Sequence, residues 1–336
     1  MVKSSKSSSD FLSRLNLYAE EGKIPPKLKG YLEEFYLSFK AAVGAEFSSE
    51  EIFLTVLDLV QKQVEHPFLF QPYHEKVTKP FDYYKLGLEF LRPLVDMKHS
   101  TFEGLLHADE IVTHLKNKHN VILLANHQTE ADPQAMSLLL EKTHPILASD
   151  MIFVAGERVV TDPLAVPFSM GRNLLCIYSK RYIDHPPEEK LKKQLHNKRT
   201  MELMSTLLSE GGKCIYVAPS GGRDRPNKEG VVEVAPFDPQ AVEMLYLMSK
   251  KAKRPTFFYP LALNTYSLLP PPQEIRRELG EARSTQKGAI HIAFGPRVDM
   301  EHFPGCEDKD KHAKRKARAN YIWNLVKEDY ETISSM

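Results

Sequence analysis

Val121-Ile-Leu-Leu-Ala125 runs without a polar residue into Asn126-His127-Gln128-Thr129-Glu130-Ala131-Asp132-Pro133, and Gln134-Ala-Met-Ser-Leu-Leu-Leu140 follows with helical spacing. The first run has the length of a strand and no polar alternation, so it predicts a strand buried on both faces, as in a parallel sheet. Asp132 suits a helix N-cap, and Pro133 suits the first helical position, where a missing N–H costs nothing. On one continuous helix His127 and Asp132 would point to different faces and could not meet. With a turn between them, the carboxylate can fold back onto the imidazole, fix its tautomer and stabilise an imidazolium. The plainer alternative is a helix cap beside a polar residue that ends a strand. Spacing alone leaves both open.

Working outward, short apolar runs at 121–125, 152–155, 173–178, 213–218, 256–263 and 289–294 alternate with helical patterns. Strands so separated imply an α/β domain with a larger, mixed, largely parallel sheet flanked by helices. Before them, residues 10–71 show amphipathic helical spacing and no ionisable cluster that suggests chemistry, which reads as a small N-terminal helical bundle. The Pro- and aromatic-rich stretch 66–80 places the boundary, giving a bundle domain over 1–75 and a catalytic α/β domain over 76–336. The first nine residues are Ser- and Lys-rich without acids, and read as a transit stub or a plain terminus.

Composition narrows the function classes. A formal net charge of +1, with 42% hydrophobic and 26% charged residues, gives no global pull toward nucleic acid. No apolar run approaches the roughly 18–20 residues of a membrane span. Cys176, Cys214 and Cys306 are too scattered for a zinc site, and two of them sit in strand-like runs where cysteine acts as a small buried hydrophobe. Neither metal nor cofactor is expected.

Ligands of open α/β sheets bind beyond the carboxyl ends of the strands, the place His127 occupies. One further stretch there is Val217-Ala-Pro219-Ser220-Gly221-Gly222-Arg223-Asp224-Arg225-Pro226. Gly221-Gly222 lets the backbone turn tightly, and Pro226 biases Arg225 toward an extended conformation. Arg223 and Arg225 then project to one side and Asp224 to the other. Two guanidinium forks on one spot match a phosphate dianion. The alternative is a solvated Arg-Asp-Arg turn with internal pairing. Basic clusters at 190–199, 250–254 and 309–318 read as solvated helix faces, with docking of an acidic partner as the other reading. The hydrophilic insert 270–288 reads as a surface excursion.

Taken together these blocks resemble the soluble plastid-type glycerol-3-phosphate acyltransferases. Asn126-His127-Gln-Thr-Glu-Ala-Asp132 is similar to the family's His-x4-Asp block. Gly171-Arg-Asn-Leu-Leu-Cys-Ile-Tyr-Ser179-Lys180, Val217 to Pro226, and Phe257-Phe-Tyr-Pro260-Leu-Ala resemble the three blocks that follow, in the same order. The resemblance covers nearly the whole chain. It implies acyl transfer from acyl-acyl-carrier protein, or acyl-CoA, to the sn-1 hydroxyl of glycerol 3-phosphate, by a soluble monomer of the plastid stroma.

In that reading His127 is the general base, Asp132 orients it, and Arg223, Arg225 and Arg181 hold the substrate phosphate. Backbone N–H groups would have to stabilise the oxyanion. No Gly-x-Ser-x-Gly elbow is present, so attack on the thioester is expected to be direct, without an acyl-enzyme. The chain departs from the family at Arg181-Tyr182, where a Lys-His pair is usual. Arg181 keeps the charge; Tyr182 does not. The rival readings are a 1-acylglycerol-3-phosphate acyltransferase, a thioesterase, and a non-catalytic acyl-carrier or lipid-binding module on the same fold.

Overall fold

The structure, a computed structural model, describes residues 10–45, 47–180, 183–272 and 281–336. Its centre is an eight-stranded sheet. In chain order the strands are β1 (Tyr73–His74), β2 (Thr101–Glu103), β3 (Asn120–Ala125), β4 (Ile152–Gly156), β5 (Asn173–Ile177), β6 (Cys214–Val217), β9 (Thr256–Asn264) and β10 (His291–Phe294), while β7 (Arg225–Pro226) and β8 (Val232–Glu233) form a separate ribbon. The order across the sheet is β1-β5-β4-β6-β3-β9-β10-β2. Strands β5, β4, β6, β3 and β9 run parallel, with antiparallel pairings at β1–β5 and β9–β10. The sheet is therefore mixed and largely parallel, as the sequence predicts.

Each of the apolar runs forms a strand because helices cover both faces. In β3 alternate residues divide between two cores. Ile122 and Leu124 join one, and Val121, Leu123 and Ala125 the other. The first face is covered by α10 (Lys190–Glu210), α11 (Pro239–Lys251) and α12 (Lys311–Ser334). The second is covered by α5 (Leu105–Lys116), α6 (Asp132–Leu140) and α7 (Pro145–Asp150). The N-terminal helices α1 (Phe11–Glu20), α2 (Pro26–Val43) and α3 (Glu50–Glu65) share a third core with α4 (Tyr83–Leu91) and with Ala131, Ala135 and Leu138 of α6. Helix α6 thus lies between the sheet and the helical layer, and nearly every residue of it is buried. That burial fixes the helix carrying Asp132.

One contact holds the α4 layer against β5. The backbone at Tyr83 passes so close to Gly171 that a Cβ there would lie 2.5 Å from its carbonyl carbon and oxygen. Backbone atoms cannot move aside as a flexible side chain can, and overpacking of this kind typically costs about 1–3 kcal/mol. Gly171→Ala is expected to lower the thermal midpoint by a corresponding amount. An unchanged melt would mean that the layers slide apart freely.

Candidate active site

The parallel strands end at one edge of the sheet, and the loops leaving β3, β6 and β9 meet there. His127 lies just past β3. Its Nδ1 is 2.7 Å from Oδ2 of Asp132, so the proton on Nδ1 is donated to the carboxylate and Nε2 keeps its lone pair. The imidazole is about a third exposed and the carboxylate 1% exposed. Asp132 does not cap its helix: the N-cap position belongs to Ala131 and Asp132 is the first helical residue. Its oxygens accept backwards, from the N–H groups of Gln128 (2.9 Å) and Thr129 (3.1 Å) and from the hydroxyls of Thr129 (3.2 Å) and Thr265 (2.6 Å). The carboxylate organises the turn that holds the histidine. Four donors besides His127 make it a fixed acceptor that the ring must orient to.

The residues flanking His127 fasten this turn to the other loops. Asn126 binds Leu263 of β9 through both ends of its amide, at 2.9 and 2.8 Å. Gln128 accepts from the N–H groups of Thr265 (2.7 Å) and Tyr266 (2.9 Å). Tyr216 of β6 donates its hydroxyl to the Asn126 carbonyl at 2.5 Å. Asp224 completes the lock. Its N–H donates to the His127 carbonyl at 2.6 Å, and its carboxylate accepts from Asn126 (2.8 Å), Gln128 (3.4 Å) and the Ala235 N–H (2.9 Å). Asp224 is fully buried, which pushes its carboxyl up to about 6 despite those donors.

Because Asp224 faces inward, Arg223 and Arg225 project the other way, both half-buried. Their states differ. Arg223 Nη2 donates to both oxygens of Glu281, at 2.8 and 2.7 Å, and Glu130 lies 3.8 Å from its Nη1. Arg225 has Nε and Nη1 buried with no hydrogen-bond partner among the described residues. Burial first, and the Arg223 cation second, pull its guanidinium below the ordinary arginine range. Arg181, the remaining cation of the sequence reading, lies outside the described residues, as does Tyr182.

Sequence reasoning missed a buried charge network beside the histidine. Arg283 bridges Glu130 and Asp162, each at 2.9 Å, and Glu281 is shared by Arg223 and Arg158. The expectation of a surface excursion over 270–288 is corrected here for 281–285. Glu281, Arg283 and Thr285 are buried, their charges neutralised by partners far away in the chain. Hydrophilic composition reads as solvated only when the partners are unseen. The same correction applies to one residue in each of two basic clusters, whose other cations are mostly solvated. Lys193 is buried between Glu157 and Glu189, and Arg318 is buried against Glu243. The buried thiols of Cys176 and Cys214 are both pushed up to about 12 by burial, which suits core packing.

From His127 a cavity of about 160 Å³ leads inward. Its walls are largely apolar, with Phe35 and Phe90 from the helical layer, Leu164 and Phe168 from the segment after β4, and Ala155 from β4 itself. Among the described residues no helix is long and apolar enough to cross a membrane, and no cluster of His, Cys, Asp or Glu is placed to hold a metal.

Comparison with known proteins gives this arrangement its context. A family model described as Acyltransferase matches residues 107–264, which takes in β3 to β9 and the loops that carry His127, Asp132, Arg223 and Arg225. The chloroplastic glycerol-3-phosphate acyltransferase of Arabidopsis thaliana is 36% identical over 98% of this chain, covering 73% of its own length. The chain belongs to the glycerol-3-phosphate acyltransferase family. A second member of this acyltransferase family, from Cucurbita moschata, is 37% identical over 98% of the chain and 73% of its own length. Among solved structures, the 1-acyl-sn-glycerophosphate (LPA) acyltransferase PlsC from Thermotoga maritima aligns over 97% of each chain with a TM-score of 0.42 and 15% identity. The chain is an acyltransferase on these grounds, and its relatives are chloroplastic enzymes.

Proposed function

We propose that this enzyme moves a fatty acyl group from acyl-acyl-carrier protein, with acyl-CoA as a second donor, to the sn-1 hydroxyl of glycerol 3-phosphate. The observation that carries the reading is a carboxylate-held histidine lining a largely apolar cavity, with its carbonyl bonded to the loop that carries Arg225, two of whose nitrogens are buried without a partner among the described residues. His127 Nε2 takes the hydroxyl proton as the alcohol oxygen attacks the thioester carbonyl. The tetrahedral adduct collapses, the carbon–sulfur bond breaks, and the imidazolium returns the proton to the departing thiolate. Asp132 keeps the ring oriented and stabilises its charged form. Arg225, with Arg223 two residues before it and with Arg181 as the sequence suggests, holds the phosphate and so sets where the hydroxyl sits. The acyl chain enters the cavity. Of the N-terminal domain proposed over 1–75, helices α1 to α3 act as a unit that roofs it, through Phe35.

The donor's carrier protein is assigned to α10. That helix exposes Leu191 (67%) and Leu195 (57%) one turn apart. Lys192, Lys198 and Arg199 are exposed alongside them. Apolar anchors ringed by cations fit an acidic carrier surface. We further assign the enzyme to the plastid stroma as a monomer.

The test is a steady-state assay with palmitoyl-carrier protein, palmitoyl-CoA and glycerol 3-phosphate. Formation of 1-acylglycerol 3-phosphate is expected, with the KM for the carrier-protein donor rising about tenfold between low and high salt as exposed charges are screened. Thioester cleavage without the acylglycerol product would make the chain a thioesterase. Salt-independent donor kinetics would remove α10 as the docking face.

A further inference from the structure

At the start of β5, Arg172 is 4% exposed, and it lines the same cavity as His127. Its Nη1 donates to the Ser137 hydroxyl at 2.6 Å, and its guanidinium lies 4.8 Å from the centre of the Tyr84 ring. Nε and Nη2 are buried with no hydrogen-bond partner among the described residues. Ser137 passes its own proton on to the Ala148 carbonyl at 2.6 Å. Burial pulls the Arg172 guanidinium down to about 10, which leaves it charged at neutral pH.

The topology sets how far this group stands from the reacting centre. Arg172 precedes Asn173, the first residue of β5, whereas His127 follows the last residue of β3, a strand parallel to it. The two residues therefore sit beyond opposite ends of the parallel strands. Five strand residues cover about 16 Å. Strand β5 also stands three strands away from β3, about 14 Å sideways, so the two backbone positions lie about 21 Å apart. A zigzag chain that advances about 1.3 Å per carbon needs about 16 carbons to cross that interval. An acyl chain whose thioester lies at His127 would bring its methyl end to Arg172.

We propose that Arg172 is a specificity-determining residue, a charged end wall that limits the length of the acyl chain the cavity accepts. An apolar chain end that reaches this guanidinium covers Nε and Nη2 without supplying either an acceptor, a cost that a chain stopping short does not incur. The inference rests on the reading of this cavity as the acyl-chain site, and the test separates the two.

The measurement is kcat/KM across a series of saturated acyl-CoA donors of increasing length, for the wild type, Arg172→Met, Arg172→Lys and Ala165→Phe. Ala165 also lines the cavity. In the wild type kcat/KM falls about tenfold or more beyond a limiting length, the scale on which an extra methylene is rejected. In Arg172→Met that fall moves to donors about two to four carbons longer, while the KM for glycerol 3-phosphate and the melting temperature stay put. A purely structural role would move both. Arg172→Lys keeps a cation and keeps the limit. Ala165→Phe shortens the accepted chain. If Ala165→Phe shortens the profile but Arg172→Met leaves the limit where it was, or Arg172→Lys releases it as Met does, the end-wall proposal fails alone. If Ala165→Phe leaves the profile unchanged, the acyl chain does not occupy this cavity and both readings fall.

Discussion

His127→Ala is expected to lower kcat for acyl transfer by about 10²–10⁴-fold, the usual contribution of a positioned general base, with the KM for glycerol 3-phosphate within about threefold of wild type. The selectivity of that effect follows from the geometry. When the imidazole is removed, Asp132 still accepts from Gln128, from Thr129 twice and from Thr265. The turn, the β9 contacts and the Arg225 loop therefore remain, and the variant should melt near the wild type. Asp132→Asn provides the contrast. An amide nitrogen in place of either oxygen faces a backbone N–H that can only donate, that of Gln128 or of Thr129, so one buried donor is set against another at a cost of about 1–3 kcal/mol. Activity also falls, because the ring loses the partner that fixes its tautomer. Turnover by His127→Ala above about a tenth of wild type would sink the general-base role. Equal destabilisation of the two variants would mean that His127 is part of the scaffold and not its cargo.

The fold was legible in the sequence to the degree that burial was two-sided. Runs such as 121–125 and 213–218 carry no polar alternation because helices press on both faces, and each forms a strand. Strands β1 and β2, of two and three residues, sit at the sheet edges with too little pattern to read. The histidine and aspartate were legible from the turn that separates them. What holds them was not. Asn126 and Gln128 work through Leu263, Thr265 and Tyr266, far along the chain, so local spacing cannot expose their role. The one usable clue was two amides alternating around a histidine at a strand's end, where buried polar groups must find partners. The charge network escaped for a related reason. Glu281 and Arg283 look solvated in a hydrophilic stretch, and only folding brings Arg223, Arg158, Glu130 and Asp162 to neutralise them.

Arg225→Ala is expected to raise the KM for glycerol 3-phosphate about 10–100-fold, as loss of a charge-assisted hydrogen-bond pair worth roughly 1.5–3 kcal/mol predicts. The KM for the acyl donor should not follow. Arg223→Ala should raise it less and destabilise the fold more. The two guanidiniums flank one aspartate and look equivalent in sequence, yet their surroundings are opposite. Arg223 is already matched by Glu281, and their side chains are 13% and 7% exposed. Its removal leaves the buried Glu281 with Arg158 as its partner, so the cost falls below the roughly 3–5 kcal/mol of a buried carboxylate left alone. Arg225 has two buried N–H-bearing nitrogens without a partner among the described residues. Its loop is pinned to the His127 carbonyl through the Asp224 N–H. On the proposed reading, a dianion bound there would satisfy Arg225, and the same fixed backbone would draw the alcohol toward Nε2 of His127. Measuring KM for both substrates together with a thermal melt for each variant distinguishes the assignments. If Arg223→Ala produces the larger rise in KM with little loss of stability, Glu281 yields its place to the phosphate and Arg223 is the principal anchor instead.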